Sequence, residues 1–173
     1  HAPVFKGHDL PRLRGAMFEG RPHGEEDFRV LGHEWNANVV RWALYREEGM
    51  AQGDPDLAAY DQWLEDALKK LDAGLPLCEK YGLMVAIDLH TAPGGKLASG
   101  VKMIFTNAAC QKRFVEVWEH IARRYKNSKA VWGYDLMNEP QEAAVEEGLL
   151  DWEDLAVKTA RTIHAIDSNR EII

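Results

Sequence analysis

Several things are scarce in this 173-residue chain, and each scarcity removes a class of protein. Two cysteines, Cys78 and Cys110, fit neither a disulfide framework nor a thiolate metal motif. Each falls in helical sequence, where it reads as a small buried hydrophobe. Hydrophobic residues make up 46% of the chain but are always interrupted, so the sequence offers no membrane span. Lys and Arg number 21 against 28 acids, a formal charge of -7, and the two signs are mixed along the chain. No basic cluster or basic-aromatic interleaving suggests a nucleic-acid surface. Low-complexity stretches and legible internal repeats are also missing. The opening at His1, without Met, is what a processed or trimmed start leaves, and no signal-peptide pattern is visible.

What is present is alternation of strand and helix in a length that suits one domain. Strands are predicted at Leu13–Phe18, Asn38–Leu44, Leu83–His90 and Ala130–Met137, with Glu171-Ile172-Ile173 opening a fifth. The spacing of Phe114, Val117, Trp118, Ile121, Ala122 and Tyr125 predicts a helix from about Asn107 to Lys126. Another runs from Leu57 to Tyr81, with a kink or break expected at Gly74 and Pro76. A last helix starts near Asp151, its N-cap, and a shorter one lies around Glu26–Trp35. Such alternation implies parallel βαβ units. The connections from helix to strand are short. Those from strand to helix (Glu47–Asp56, Thr91–Thr106, Gln141–Leu150) are long, so the long loops gather at the carboxyl ends of the strands, where parallel α/β folds build active sites.

The faces of the strands separate cleanly. Val85, Ile87 and Leu89 oppose Ala86, Asp88 and His90. Val40, Trp42 and Leu44 oppose Val39, Arg41 and Ala43. Trp132, Tyr134 and Leu136 oppose Gly133, Asp135 and Met137. A doubly wound open sheet would make both faces apolar, whereas a closed barrel can be polar at its inner mouth. A barrel is therefore expected, with Arg41, Asp88, His90, Asp135, Asn138 and Glu139 converging at one end. The plain alternative for Arg41 is an ion-pair partner of Asp88 or Asp135, since a buried guanidinium needs a carboxylate. His90 has the alternative of a satisfied core histidine. Gly94-Gly95 lacks Walker spacing and does not open a helix, which argues against a phosphate loop.

The most informative segment is Asn138-Glu139-Pro140, which ends the apolar fourth strand with an amide and a carboxylate side by side. Pro140 stops the ladder and is expected to restrain Glu139 to an extended conformation. An acid there is expected to be poorly solvated, a setting that raises a carboxyl pKa toward proton transfer near neutrality. Alternation cannot aim both Asn138 and Glu139 inward, so a bulge or strand-end twist before Pro140 is expected.

These residues resemble glycoside hydrolase family 5, the cellulase-type (β/α)8 TIM barrels. Arg14-Gly15-Ala16-Met17-Phe18-Glu19-Gly20 is similar to the family's first-strand segment, and Asn38-Val39-Val40-Arg41 to its second. Asp88-Leu89-His90 resembles the third-strand pattern and Asn138-Glu139-Pro140 the fourth-strand signature. The resemblance implies that residues 1–173 cover roughly the first four βα units and the start of the fifth strand of a partial catalytic domain. It implies retaining hydrolysis of a β-linked polysaccharide or oligosaccharide, endoglucanase-like, with Glu139 as general acid/base. Asn138, His90 and Arg41 would bind substrate or support the acid. No metal or cofactor is implied, and the setting would be secreted or periplasmic. The required nucleophile, a second carboxylate about 5 Å away, lies in the family at the end of a seventh strand. Asp88, Asp135 and Glu19 are poor replacements, so this chain alone is expected to be inactive. The competing expectation is a truncated barrel acting as a carbohydrate-binding or interaction module. A metal-dependent hydrolase built on His90 and Asp88 has too few ligands. Phe105 and Tyr45 are the aromatic residues expected to face sugar rings, whereas Trp63 and Trp118 fit helix packing.

Overall fold

The computed structural model describes residues 12–19, 23–47, 55–141, 143 and 145–173. The middle of the predicted Glu47–Asp56 loop, residues 48–54, and Gly20 lie outside the described residues. The elements run β1 (Gly15–Phe18), α1 (Glu25–Arg29), β2 (Val39–Ala43), α2 (Leu57–Lys80), β3 (Met84–Asp88), α3 (Ala108–Tyr125), β4 (Val131–Asp135), α4 (Trp152–His164) and β5 (Glu171–Ile172). A π-helical stretch, Val30–Glu34, continues α1, and a 3-10 turn at Met103–Phe105 precedes α3. The five strands pair in parallel and in sequence order, β1-β2-β3-β4-β5, the topology of successive βα units in a (β/α)8 barrel.

Local chemistry sets the helix starts. Asp56 accepts from the backbone N–H groups of Ala58 and Ala59, Asn107 from Cys110, and Asp151 from Asp154. Apolar periodicity sets which face is buried. In α3, Phe114, Val117, Trp118, Ile121, Ala122 and Tyr125 are all buried. Burying each large side chain is worth about 1.5–3 kcal/mol, against at most about 0.7 kcal/mol per residue from propensity, so packing decides the helix.

The kink or break expected in α2 does not interrupt the helix, which continues through Gly74 and Pro76 to Lys80. Pro76 lies in the last turns, where the single ladder bond it removes is outweighed by the buried face of Tyr60, Leu64, Leu68, Leu71 and Cys78. Gly74 has a packing role: a β-carbon there would stand 2.5 Å from Trp42 Cη2. Its absence lets α2 lie close against β2.

Strand facing follows the predicted alternation in β2 and β3, but at the start of β4 a register irregularity sets Val131 beside Val85 and leaves Trp132 out of the face expected for it. Val40, Val85, Ile87, Leu89 and Tyr134 are fully buried against the helices. The base of the sheet is tied by Arg170. Its Nε donates to Asp167 Oδ2 (3.0 Å), Nη1 to the Val131 carbonyl (2.5 Å), and Nη2 to the carbonyls of Lys126 (3.0 Å) and Ser128 (2.7 Å). Tyr134 Oη donates to the same Asp167 oxygen at 2.9 Å.

Candidate active site

Three neighbouring strands bring the polar layer together. Register sets Arg41 of β2 beside Ala86 of β3, and Ala86 beside Gly133 of β4. These small residues leave the Arg41 side chain open space. Its Nε donates to Asp135 Oδ2 at 2.8 Å, and its Nη1 lies 3.1 Å from Asp88 Oδ2. Its Nη2 donates to Asn138 Oδ1 at 3.2 Å. The planar fork of the guanidinium can serve three acceptors at once, which an ammonium on a flexible stem would do poorly. His90 Nδ1 sits 2.8 Å from Asp88 Oδ2, which fixes the ring, and Tyr45 meets that ring edge-on at 5.2 Å between centroids. Arg41 is thus the ion-pair partner that its sequence offered as one alternative, and it also holds Asn138.

One guanidinium faces two carboxylates, so the balance is tight. Asp88 is fully buried, and its Oδ1 has no hydrogen-bond partner among the described residues. Burial pushes the Asp135 carboxyl above its ordinary pKa, the hydrogen bond from Arg41 draws it back, and the neighbouring Asp88 charge pushes it up again. Each buried ion costs several kcal/mol in lost hydration, and the shared Arg41 offsets that cost.

Glu139 differs from expectation in two ways. It is not poorly solvated: 72% of its side chain is exposed. Nor is it extended, for its φ is +49°, in the left-handed region. A non-glycine residue there costs about 1–3 kcal/mol and persists only where the surroundings over-determine it. The turn takes the chain off the strand path at Glu139, so the carboxylate leaves the buried face. The expected bulge or twist would aim both Asn138 and Glu139 inward; the backbone does turn at Glu139, but it leaves the Glu139 side chain exposed while Asn138 alone meets Arg41. The register irregularity of β4 lies at its start, where Val85 pairs Val131 and Ala86 pairs Gly133, leaving Trp132 between.

Two groups that contact Glu139 come from a loop whose role was not read from sequence. Lys96 and Lys102 face each other in an antiparallel bridge within the 91–106 loop, closed by the Leu97 N–H on the Val101 carbonyl (2.8 Å). Lys102 is 2% exposed, and its Nζ donates to the Glu139 carbonyl oxygen at 2.6 Å. Lys96 Nζ lies 3.6 Å from Glu139 Oε2. Burial pushes the Lys102 ammonium down to a pKa of about 8, Lys96 adds repulsion, and Glu139 opposes both. Ser99-Gly100 between the two lysines was the available turn signal.

Phe105, expected to face sugar, is instead buried at 1% exposure in the 3-10 turn. The apolar run Met103-Ile104-Phe105 packs inward, so it cannot serve as a platform. Tyr45 is half-buried beside His90. Trp118 is buried, with Nε1 donating to the Leu136 carbonyl at 3.1 Å. Among the described residues, no three His, Cys, Asp or Glu side chains are grouped to hold a metal ion, and no helix is long and apolar enough to cross a membrane. Burial pushes the Cys78 thiol up to about 12 and the Cys110 thiol upward as well.

Parallel strands in barrel order, with a polar cluster at their carboxyl ends, define an α/β-barrel enzyme scaffold. The chain belongs to the cellulase family, glycosyl hydrolase family 5, whose sequence model matches residues 5–173. Endoglucanase C of Acetivibrio thermocellus is 34% identical over 110 residues, covering 63% of this chain and 31% of the relative. A solved glycoside hydrolase superimposes with a TM-score of 0.69 at 24% identity, over 92% of this chain and 51% of that one. The catalytic domain of the Thermobifida fusca endoglucanase Cel5A does so with a TM-score of 0.63 at 20% identity, over 95% and 48%. The chain thus spans about a third of the curated relative and about half of each solved structure.

Proposed function

We propose that this chain carries the acid-bearing part of a retaining endoglucanase-type hydrolase acting on β-linked glucan outside the cytoplasm. The observation that carries this reading is the coupling of Asn138 to Arg41 directly before an exposed, left-handed Glu139 at the carboxyl ends of the strands. Glu139 would protonate the leaving glycosidic oxygen, then take a proton from the water that frees the sugar. Asn138 and His90, both fixed through the Arg41–Asp88 cluster, would hold the sugar at the point of cleavage. The substrate class follows the endoglucanase relative that is 34% identical.

One observation favours binding without turnover at this chain length. Asp88 is fully buried and Asp135 nearly so, and both are engaged by Arg41, so neither is available as an attacking carboxylate. The domain limits 1–173 are accordingly proposed as part of a catalytic domain. Titrating cellotetraose into isotopically labelled chain tests the site: amide shifts should concentrate at Tyr45, His90, Asn138 and Glu139. No perturbation there at millimolar sugar would overturn the reading.

A further inference from the structure

Lys96 and Lys102 pose a physical problem that Glu139 solves. Residues directly opposed in an antiparallel bridge lie close on one face, where like charges destabilise the pair. Lys102 is also buried, and an ammonium removed from water needs strong acceptors. Nothing about folding a surface loop demands two lysines in this register. Both are directed to one residue: Lys102 holds the Glu139 main-chain carbonyl at 2.6 Å, and Lys96 stands 3.6 Å from its carboxylate. That residue has the strained, left-handed backbone and is followed by Pro140.

We propose that the 96–102 hairpin is a clamp for the catalytic acid, with Lys102 as a positioning residue that fixes the Glu139 backbone and Lys96 as one that orients its carboxylate. Lys102 acts through the carbonyl, where a charge-assisted hydrogen bond fixes the peptide plane leaving Glu139. Lys96 acts through charge on the exposed side chain. The charged groups facing Lys102 are Lys96 across the bridge, which disfavours its protonation, and Glu139 at the end of β4, which favours it. The two lysines are not interchangeable: one sets where the acid is, the other where its carboxylate points. The inference rests on the proposed role of Glu139, but the geometry it describes can be measured without turnover.

The test uses carbon- and nitrogen-labelled chain 1–173 as the native protein and as Lys102→Met and Lys96→Met variants. In the native protein, the Glu139 carbonyl-carbon shift should show a titration step near pH 8 that follows the Lys102 side-chain carbon. Lys102→Met should abolish that step and move the Glu139 Cα shift away from its left-handed value, without lowering thermal stability at neutral pH. Lys96→Met should keep a step in the Glu139 carbonyl-carbon shift but move it to higher pH, because the repulsion that helps hold the Lys102 ammonium down is gone. A merely structural lysine would do the reverse, lowering stability and leaving the Glu139 shifts unchanged, which would overturn the clamp. Should Lys102→Met not fold, the native titration still decides, because a Glu139 carbonyl that does not respond around pH 8 overturns the proposal. Cellotetraose added to the same native sample separates the two readings. Loss of sugar contact removes the hydrolase site, and loss of the titration step removes the clamp.

Discussion

Arg41 Nε and Asp135 Oδ2 stand 2.8 Å apart across 94 residues of sequence, joining β2 to β4 over the top of β3. The pair is the keystone of the polar layer, because the same guanidinium also holds Asp88 and Asn138.

Arg41→Ala should therefore cost about 3 kcal/mol, the low end for breaking a buried ion pair, since two carboxylates lose their shared cation. Arg41→Lys should recover less than half, because a point charge cannot serve three acceptors. Urea unfolding at neutral pH measures both. A loss within about 0.5 kcal/mol of zero, the range of ordinary surface substitutions, would remove Arg41 from this role.

Trp118→Phe keeps the ring packing against Tyr134 but leaves the buried Leu136 carbonyl without its donor. The expected cost is about 1–3 kcal/mol. Leu136 stands two residues before Asn138, so cellotetraose affinity should fall together with the melting temperature. A variant with lower stability and unchanged sugar binding would show that the strand end holds without α3.

Gly74→Ala sets two effects in opposition. Alanine favours a helix interior by about 1 kcal/mol over glycine. The new β-carbon would stand 2.5 Å from Trp42 Cη2, and such overpacking costs about 1–3 kcal/mol. The net expectation is destabilisation, read as a lower melting temperature. A stabilised variant would mean that Trp42 moves freely.

Lys102 gives stability a pH dependence with a definite sign. Its folded pKa of about 8 lies below the ordinary 10.5, so between those values the unfolded chain binds more protons. Stability should rise with pH across that window, by at most about 3 kcal/mol at 1.36 kcal/mol per pKa unit. Below about pH 8 the cost of the buried charge is fully present. Lys102→Met should flatten the slope, and parallel curves for the two proteins would contradict the assignment.

Purified chain 1–173 should bind cello-oligosaccharide and show no turnover of an aryl β-cellobioside. Turnover that disappears in Glu139→Ala would mean that a carboxylate inside the chain completes the pair.

Much of this was legible in the amino acids because strands alternate with a period of two. Val85, Ile87 and Leu89 had to share one face, and Asp88 and His90 the other. The Asn138-Glu139-Pro140 ending stood out because it interrupts an apolar strand. What failed depended on contacts between distant segments. Proline chemistry predicts an extended Glu139, but the residue is left-handed at the point where Lys102 meets its carbonyl and Arg41 holds Asn138. Phe105 looked like a loop aromatic until the loop folded it inward. Lys102 is an ordinary lysine in sequence, and only the hairpin register carries it into the interior.

The Arg170 tie at the foot of the sheet separates inheritance from invention. Its hydrogen bonds and the Asp167–Tyr134 contact anchor β4 and β5 at the end opposite the cluster around Arg41. Foldedness is underwritten at one end and chemistry is displayed at the other. The loops at the mouth are thereby left able to vary their sequence without loosening the scaffold that presents them.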